Sequence, residues 1–160
     1  MGNNIIREDL NRGNFHWIDF FRSDTATKLD IDNYPDPVDE QQILTNLMST
    51  ADLAQEIREL LNYPVLLNSA YRCLLLNNVL PGASKTSQHM EGLAIDIISP
   101  RFGTPEEIML KLHSEGVVVD QCFCEGSWLH VSRKVEGENR MMYGYFMRDS
   151  ETGKRIFKAI

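Results

Sequence analysis

The sequence predicts an α+β fold with a largely antiparallel sheet and helices packed on it, and three observations carry the prediction. Helical periodicity dominates the first half of the chain, after the Pro-rich joint NYPDPVDE. Short β-favouring runs crowd the second half, and helices followed by strands, rather than strict alternation of the two, point to α+β. The third is size: 160 residues are about one domain's worth, and 42% hydrophobic against 24% charged residues suffice to bury a core. One domain over 1–160 is expected, with residues 1–37 as an N-terminal segment packing on the core.

The elements follow in order. From Val38 to Leu61, Ile43, Leu47, Ala54, Ile57 and Leu61, with Leu44 and Met48 beside them, recur at three-and-four spacing, predicting the longest helix. VLLNS at 65–69 and LAIDII at 93–98 read as strands. Thr104 as N-cap, Pro105 at the first helical position, Glu107 closing a capping box and Gly116 as the stop bound a second helix over about 105–115. Strands are then expected at 117–124 (VVVDQCFC), 128–132 (WLHVS) and 141–147 (MMYGYFM), followed by a turn at DSETGK and a short final strand.

Composition excludes several classes of partner. A formal net charge of -7 with no basic cluster argues against nucleic acid, which is held by clustered Lys and Arg. No run approaches the roughly 18 apolar residues of a membrane span, so no membrane insertion is expected. The N-terminus carries acidic residues where a signal peptide has its apolar core, and Ile6 stands where a myristoylation motif has Ser or Thr. The three cysteines, Cys73, Cys122 and Cys124, are too few for a disulfide framework and fit synthesis in a reducing cytosol without a signal peptide. A monomer is the default.

Four histidines remain to be placed. His113 falls in the last turn of the 105–115 helix, where a partly positive side chain suits the dipole, and His16 in FHWIDFF reads as packing beside aromatics. His89 and His130 have more reactive company. In SQHMEGLAID, His89 precedes Asp96 by seven positions, and Asp96 lies between Ile95 and Ile97 in a core strand. A carboxylate there needs a partner, for which a cation is the natural choice, because desolvating it alone is expensive. Gly92 and Ala94 would let the backbone approach a metal closely; the alternative is that Gly92 is a simple turn glycine. His130 shares one strand face with Trp128 and Ser132. Two imidazoles and one carboxylate are the donor set of hydrolytic zinc sites that keep a fourth position open for water, and no HExxH helix is present.

SQHMEGLAID resembles the SxHxxGxAxD motif of the zinc D-alanyl-D-alanine carboxypeptidase family, which also contains peptidoglycan endopeptidases. NSAYR is similar to that family's SGYR segment, GASKTSQH to its GxSKTSQH approach, and VDQCFCEGSWLHVS to its DQxxxExxWxHVS segment. FFRSDTATKLDIDNYPDP resembles the N-terminal region of the compact phage and bacterial branch, and ENR near position 140 fits its C-terminal end. The likeness spans essentially the whole chain. It implies the fold shared with the Hedgehog signalling domain and one Zn2+ per chain, held by His89, Asp96 and His130. Glu125 would be the general base, and Arg72 would hold the substrate carbonyl or developing oxyanion. Ser87 and Gln88 would orient substrate, with Asp120 and Gln121 as support behind the site. The substrate implied is a peptidoglycan stem peptide, cut at the terminal D-Ala-D-Ala bond or at the L-Ala-D-Glu bond. No wall-binding module is expected, and the setting implied is a phage lytic enzyme or virion-associated domain acting at the bacterial cell wall.

The sequence departs from the family pattern at several positions. Other branches place the acidic residue three positions before the last His, where this chain has Ser127, so Glu125 reaches the metal only if Gly126 and Ser127 form a turn. Cys73 and Leu74 follow Arg72 where the family commonly has Ser or Thr and then Pro. Cys122 and Cys124 near Glu125 admit a thiolate-ligand reading, against the plainer one of buried small hydrophobes. The competing function is a zinc-stabilised structural or binding domain without turnover, for example in a phage particle. The presence of Glu125 and Arg72 favours an enzyme.

Overall fold

The N-terminal region of the computed structural model, which describes residues 4–160, folds as two short 3-10 turns, Arg7–Leu10 and Trp17–Phe20, and a five-residue helix α1 (Asp24–Lys28). The first three residues of the expected N-terminal segment lie outside the described residues. Leu10, Phe15, Phe20 and Phe21 sink into the same apolar cluster as the rest of the chain. His16 lies beside an aromatic, its ring centroid 5.7 Å from that of Trp17. It is exposed and caps the second turn, its Nδ1 accepting from the Ile18 N–H at 3.4 Å.

Helix α2 (Glu40–Leu61) is the long helix that the periodicity predicts. Ile43, Leu47, Ala54, Ile57 and Leu61 are buried along one stripe, each such side chain contributing roughly 1.5–3 kcal/mol when fully buried. Asn62 ends the helix in the left-handed conformation at φ 54. After strand β1 (Leu66–Ser69) and a short helix α3 (Leu74–Val79), a 3-10 turn over Gln88–Glu91 leads into strand β2 (Ala94–Ile98). Helix α2 grips the end of that turn: Asn46 Nδ2 donates to the Glu91 carbonyl and Thr50 Oγ1 to the Gly92 carbonyl, both at 2.7 Å. Gly92 has φ +72, and a Cβ there would stand 3.0 Å from Leu47 Cγ and 3.1 Å from the Ile43 carbonyl oxygen. The glycine therefore serves the approach of the turn to α2, not an approach of the backbone to a metal.

Helix α4 (Pro105–Ser114) carries the expected capping box, with the Thr104 N–H donating to Glu107 Oε2 at 2.7 Å and the Glu107 N–H to Thr104 Oγ1 at 3.2 Å. Four strands follow: β3 (Gln121–Cys124), β4 (Leu129–Ser132), β5 (Met142–Arg148) and β6 (Arg155–Ala159). The strand expected from residue 117 begins only at Gln121. Residues 117–120 instead form a connector that leaves α4 through the Val117 N–H bonded to the Leu112 carbonyl, with Val117 and Val119 buried. Burial of these valines supplies the apolar run, and backbone bonds from Met141 to Val119 and from Asp120 to Ser132 lead the connector into the sheet.

The sheet order is β1-β2-β4-β3-β5-β6, and every pair is antiparallel except β3 with β5. The fold is thus α+β with a largely antiparallel sheet, as the sequence predicts. Alternation divides the central strands. Ile95, Ile97, Cys122, Cys124, Leu129 and Val131 join the apolar cluster with α2 and α4. Asp96, Phe123 and His130 point to the opposite face, where Asp96 pairs with His130 and His130 with Phe123 across adjacent strands.

Candidate metal centre

Asp96 and His130 meet because β2 and β4 place them directly opposite one another, and His89 arrives from the 3-10 turn that α2 holds. Asp96 Oδ1 lies 3.1 Å from His89 Nε2 and 3.0 Å from His130 Nδ1. One donor atom from each of the three residues falls within 4.8 Å of the other two, and all three side chains are buried. No fourth His, Cys, Asp or Glu joins this cluster among the described residues.

The hydrogen bonds around His89 test whether a cation fits. Its Nδ1 is 2.7 Å from the Ala70 carbonyl oxygen, which can only accept, so Nδ1 carries the proton. The neutral ring then turns a lone pair on Nε2 toward the carboxylate oxygen of Asp96, and two lone pairs at 3.1 Å require a positive centre between them. A second proton on His89 is disfavoured, since burial pushes its pKa below the ordinary histidine value. Burial opposes charge on Asp96, and what holds its carboxyl below the usual range is positive charge and hydrogen-bond donation from the His89 and His130 side, the part a cation takes when both rings are neutral. Two neutral imidazoles and a carboxylate are the donors a divalent metal takes, and the backbone carbonyl behind His89 orients the ring for it.

Arg72 lies beside this cluster and takes Asp96's other oxygen. Its Nη2 donates to Asp96 Oδ2 at 2.7 Å and its Nε to Ser69 Oγ at 2.9 Å. Ser69 pairs with Asp96 in the β1–β2 ladder, which explains why the NSAYR segment carries both residues. A second clasp joins the two segments, with the Arg72 N–H bonded to the His89 carbonyl at 3.1 Å.

Glu125 sits at the end of β3, on the same face as Phe123, and the Gly126–Ser127 turn that aims it is formed. The Glu125 N–H donates to the Trp128 carbonyl at 3.0 Å, and Gly126 adopts φ +84, which favours glycine. Glu125 Oε1 is 2.8 Å from Arg155 Nη2. Asp120 has no exposed side-chain surface. It accepts from Gln88 Nε2 at 3.0 Å, from the Arg140 N–H and guanidinium, and lies 3.2 Å from Lys134 Nζ. Its carboxyl faces a burial cost, yet these hydrogen bonds hold its pKa well below the ordinary value.

A cleft of ≈ 590 Å³ joins these pieces, lined among others by Arg72, Ser87, Gln88, His89, Asp96, Gln121, Glu125 and His130. Ser87 Oγ accepts from the His89 N–H at 3.3 Å and so caps the turn that carries the ligand. Gln88 has given its amide N–H to Asp120, leaving a buried Oε1 without a partner among the described residues. Cys122 and Cys124 lie on the far side of β3 in the apolar cluster, where burial raises the Cys122 thiol well above its ordinary pKa and the Cys124 thiol above its own. The strand pleat therefore removes them as ligands. The site also contains residues that sequence reasoning missed: the Ala70 carbonyl, Ser69, Arg140 and Arg155. NSAYR and ENR held three of them in plain view, but no motif pointed to Arg155.

Three buried nitrogen and oxygen donors converging at one end of a cleft, beside a cleft-facing carboxylate and an arginine, define a mononuclear metallohydrolase site. The family model described as Peptidase M15 matches residues 18–132. The chain belongs to the M15 peptidase family, and it is a metallopeptidase acting on peptidoglycan-like substrates. No curated protein matches the chain closely enough to count as a relative.

Proposed function

We propose that the protein holds one zinc ion at His89, Asp96 and His130 and hydrolyses a peptide bond of a peptidoglycan stem, either the terminal D-Ala-D-Ala bond or the L-Ala-D-Glu bond. The single observation that carries the reading is the convergence of His89, Asp96 and His130 donor atoms within 4.8 Å of one another in a cleft that Glu125 also lines. Zinc bound there supplies a Lewis acid that acidifies water and polarises a carbonyl. Glu125 takes a proton from the attacking water as its oxygen bonds to the carbonyl carbon, and returns it to the amine nitrogen as the C–N bond breaks. Arg72 keeps Asp96 charged and oriented through Oδ2. Its Nη1, without a partner among the described residues, donates to the substrate carbonyl oxygen as negative charge develops there. Ser87 and Gln88 supply polar contacts to the peptide from the cleft wall.

A purely structural zinc centre is normally closed by four protein ligands, whereas three converge here at a cleft. The resemblance to the phage and bacterial branch supports extending the reading to lysis or remodelling of the bacterial wall. The test is incubation of zinc-loaded protein with purified muropeptides and mass analysis of the fragments. Loss of D-Ala identifies a carboxypeptidase, and release of L-Ala-terminated fragments identifies an endopeptidase. Intact muropeptides of every wall type would overturn the proposal.

A further inference from the structure

We propose that the β5–β6 hairpin, which lies beyond the family-matched residues, builds a carboxylate-binding subsite in the metal-bearing cleft, with Arg155 as the residue that reads an anionic group of the substrate. The proposal rests on the peptidase reading above and adds what the enzyme selects. Arg155 and Phe146 line the same cleft as His89, Asp96 and His130. The Arg155 guanidinium carbon stands 3.9 Å from the centroid of the Phe146 ring. Stacking occupies the flat face of the guanidinium and leaves its N–H edge to meet a carboxylate in plane. The ring beneath it is held in turn, since Phe146 packs edge-on to Phe123 with centroids 5.0 Å apart, and Phe123 stacks on His130 at 6.0 Å and 24°. A chain of aromatic contacts thus sets Arg155 relative to a metal-site histidine.

Glu125 already shows what Arg155 can bind, because its carboxylate lies 2.8 Å from Nη2. Of the three arginines in the cleft, this one is best placed to exchange partners. Arg72 pairs with Asp96, whose side chain is 8% exposed, and Arg140 with Asp120, at 0%; neither carboxylate can lose its cation cheaply. Arg155 is 47% exposed and Glu125 19%, and an ion pair so open to water contributes little net stability. A substrate carboxylate can therefore displace Glu125 from Arg155. The exchange frees Glu125 Oε1 to accept from the attacking water, so binding of the correct anion readies the base. The ligand is a peptide with a free carboxylate near the scissile bond. That carboxylate is either the chain terminus or the α-carboxylate of a γ-linked glutamyl residue.

The probe is the pentapeptide L-Ala-γ-D-Glu-L-Lys-D-Ala-D-Ala, used beside its C-terminal amide, its glutamyl α-amide and the doubly amidated form. Binding to metal-loaded wild type, Arg155→Ala and Arg155→Lys is read by chemical-shift titration, and cleavage by mass analysis of the same samples. Arg155→Ala should weaken binding of the free pentapeptide about tenfold, and Arg155→Lys should restore part of it. Amidating the recognised carboxylate should cost wild type the same factor and erase the difference between wild type and Arg155→Ala, and whichever amide does so names the source. Arg155→Ala binding like wild type, a deficit that persists on the doubly amidated peptide, or no binding by wild type would overturn the subsite. Arg155-dependent binding without any cleavage would uphold the subsite and count against the peptidase reading, and cleavage that ignores Arg155 would do the reverse.

Discussion

Asp120→Asn removes one negative charge from a position with no solvent exposure while keeping the size of the side chain. In the native protein Asp120 accepts from Arg140 through its N–H and guanidinium, from Gln88 Nε2 at 3.0 Å, and pairs with Lys134 at 3.2 Å. The amide would turn an NH2 group against these donors, and breaking a buried pair by losing one partner costs about 3–5 kcal/mol. Arg140 and Lys134 are 45% and 33% exposed and can turn to water, so a cost below that range, about 2–3 kcal/mol, is expected. For a chain of this size that is a fall in Tm of roughly 4–12 °C. The sign with pH follows from the depressed pKa of Asp120: its contribution is complete above the ordinary carboxylate value of about 4 and is lost as pH falls toward the lower folded value. The gap between wild type and Asp120→Asn should therefore be full at pH 6–7 and shrink below about pH 4. The one oxygen the amide keeps can still accept from Gln88, and neither residue's side chain bonds a metal donor, so metal affinity should stay near wild type. Thermal unfolding across pH and competition with a metal-sensitive dye test both expectations. An unchanged Tm at pH 7, or a gap that widens in acid, would refute the reasoning.

The remaining expectations are shorter. Metal analysis should find about one zinc per chain in wild type and none in His89→Ala, Asp96→Ala or His130→Ala; retention in all three would remove the site. Glu125→Gln should keep metal content and Tm near wild type while kcat falls about 10²–10⁴-fold, and near-full activity would return Glu125 to a partner of Arg155 alone. Gly144→Ala would put a Cβ 2.6 Å from Phe157 Cε2 and close to the Lys158 carbonyl, so β6 must move. A loss of about 1–3 kcal/mol and faster proteolysis in the 149–154 turn are expected, and unaltered cleavage there would show that β6 tolerates the group.

Local signals were sufficient wherever the structure depends on neighbours in the chain. The stripe from Ile43 to Leu61 could bury one face only as a helix, and the Thr104–Glu107 box closes within four residues, so both were legible. Alternation around Asp96 and His130 was equally local, and it set the donor residues on one side of their strands. What the sequence by itself determined was the α+β class, the long helix and the capped helix with most of the strands around them, and the three donor residues of the metal centre. Where these residues sit relative to one another depends on long-range pairing. Only the register of β2 on β4 puts Asp96 opposite His130, and only the Ala70 carbonyl, nineteen positions from His89, decides which ring nitrogen faces the carboxylate. The resemblance alone separated Asp120, as support, from Glu125, as base; local pattern did not. Burial against Arg140 and Gln88 makes the first an anchor, and the Gly126 turn leaves the second facing the cleft. Arg155 is the extreme case. No local pattern marks an exposed arginine on an edge strand, and it reaches the cleft only because β5 pairs in parallel with β3 and carries β6 beside it.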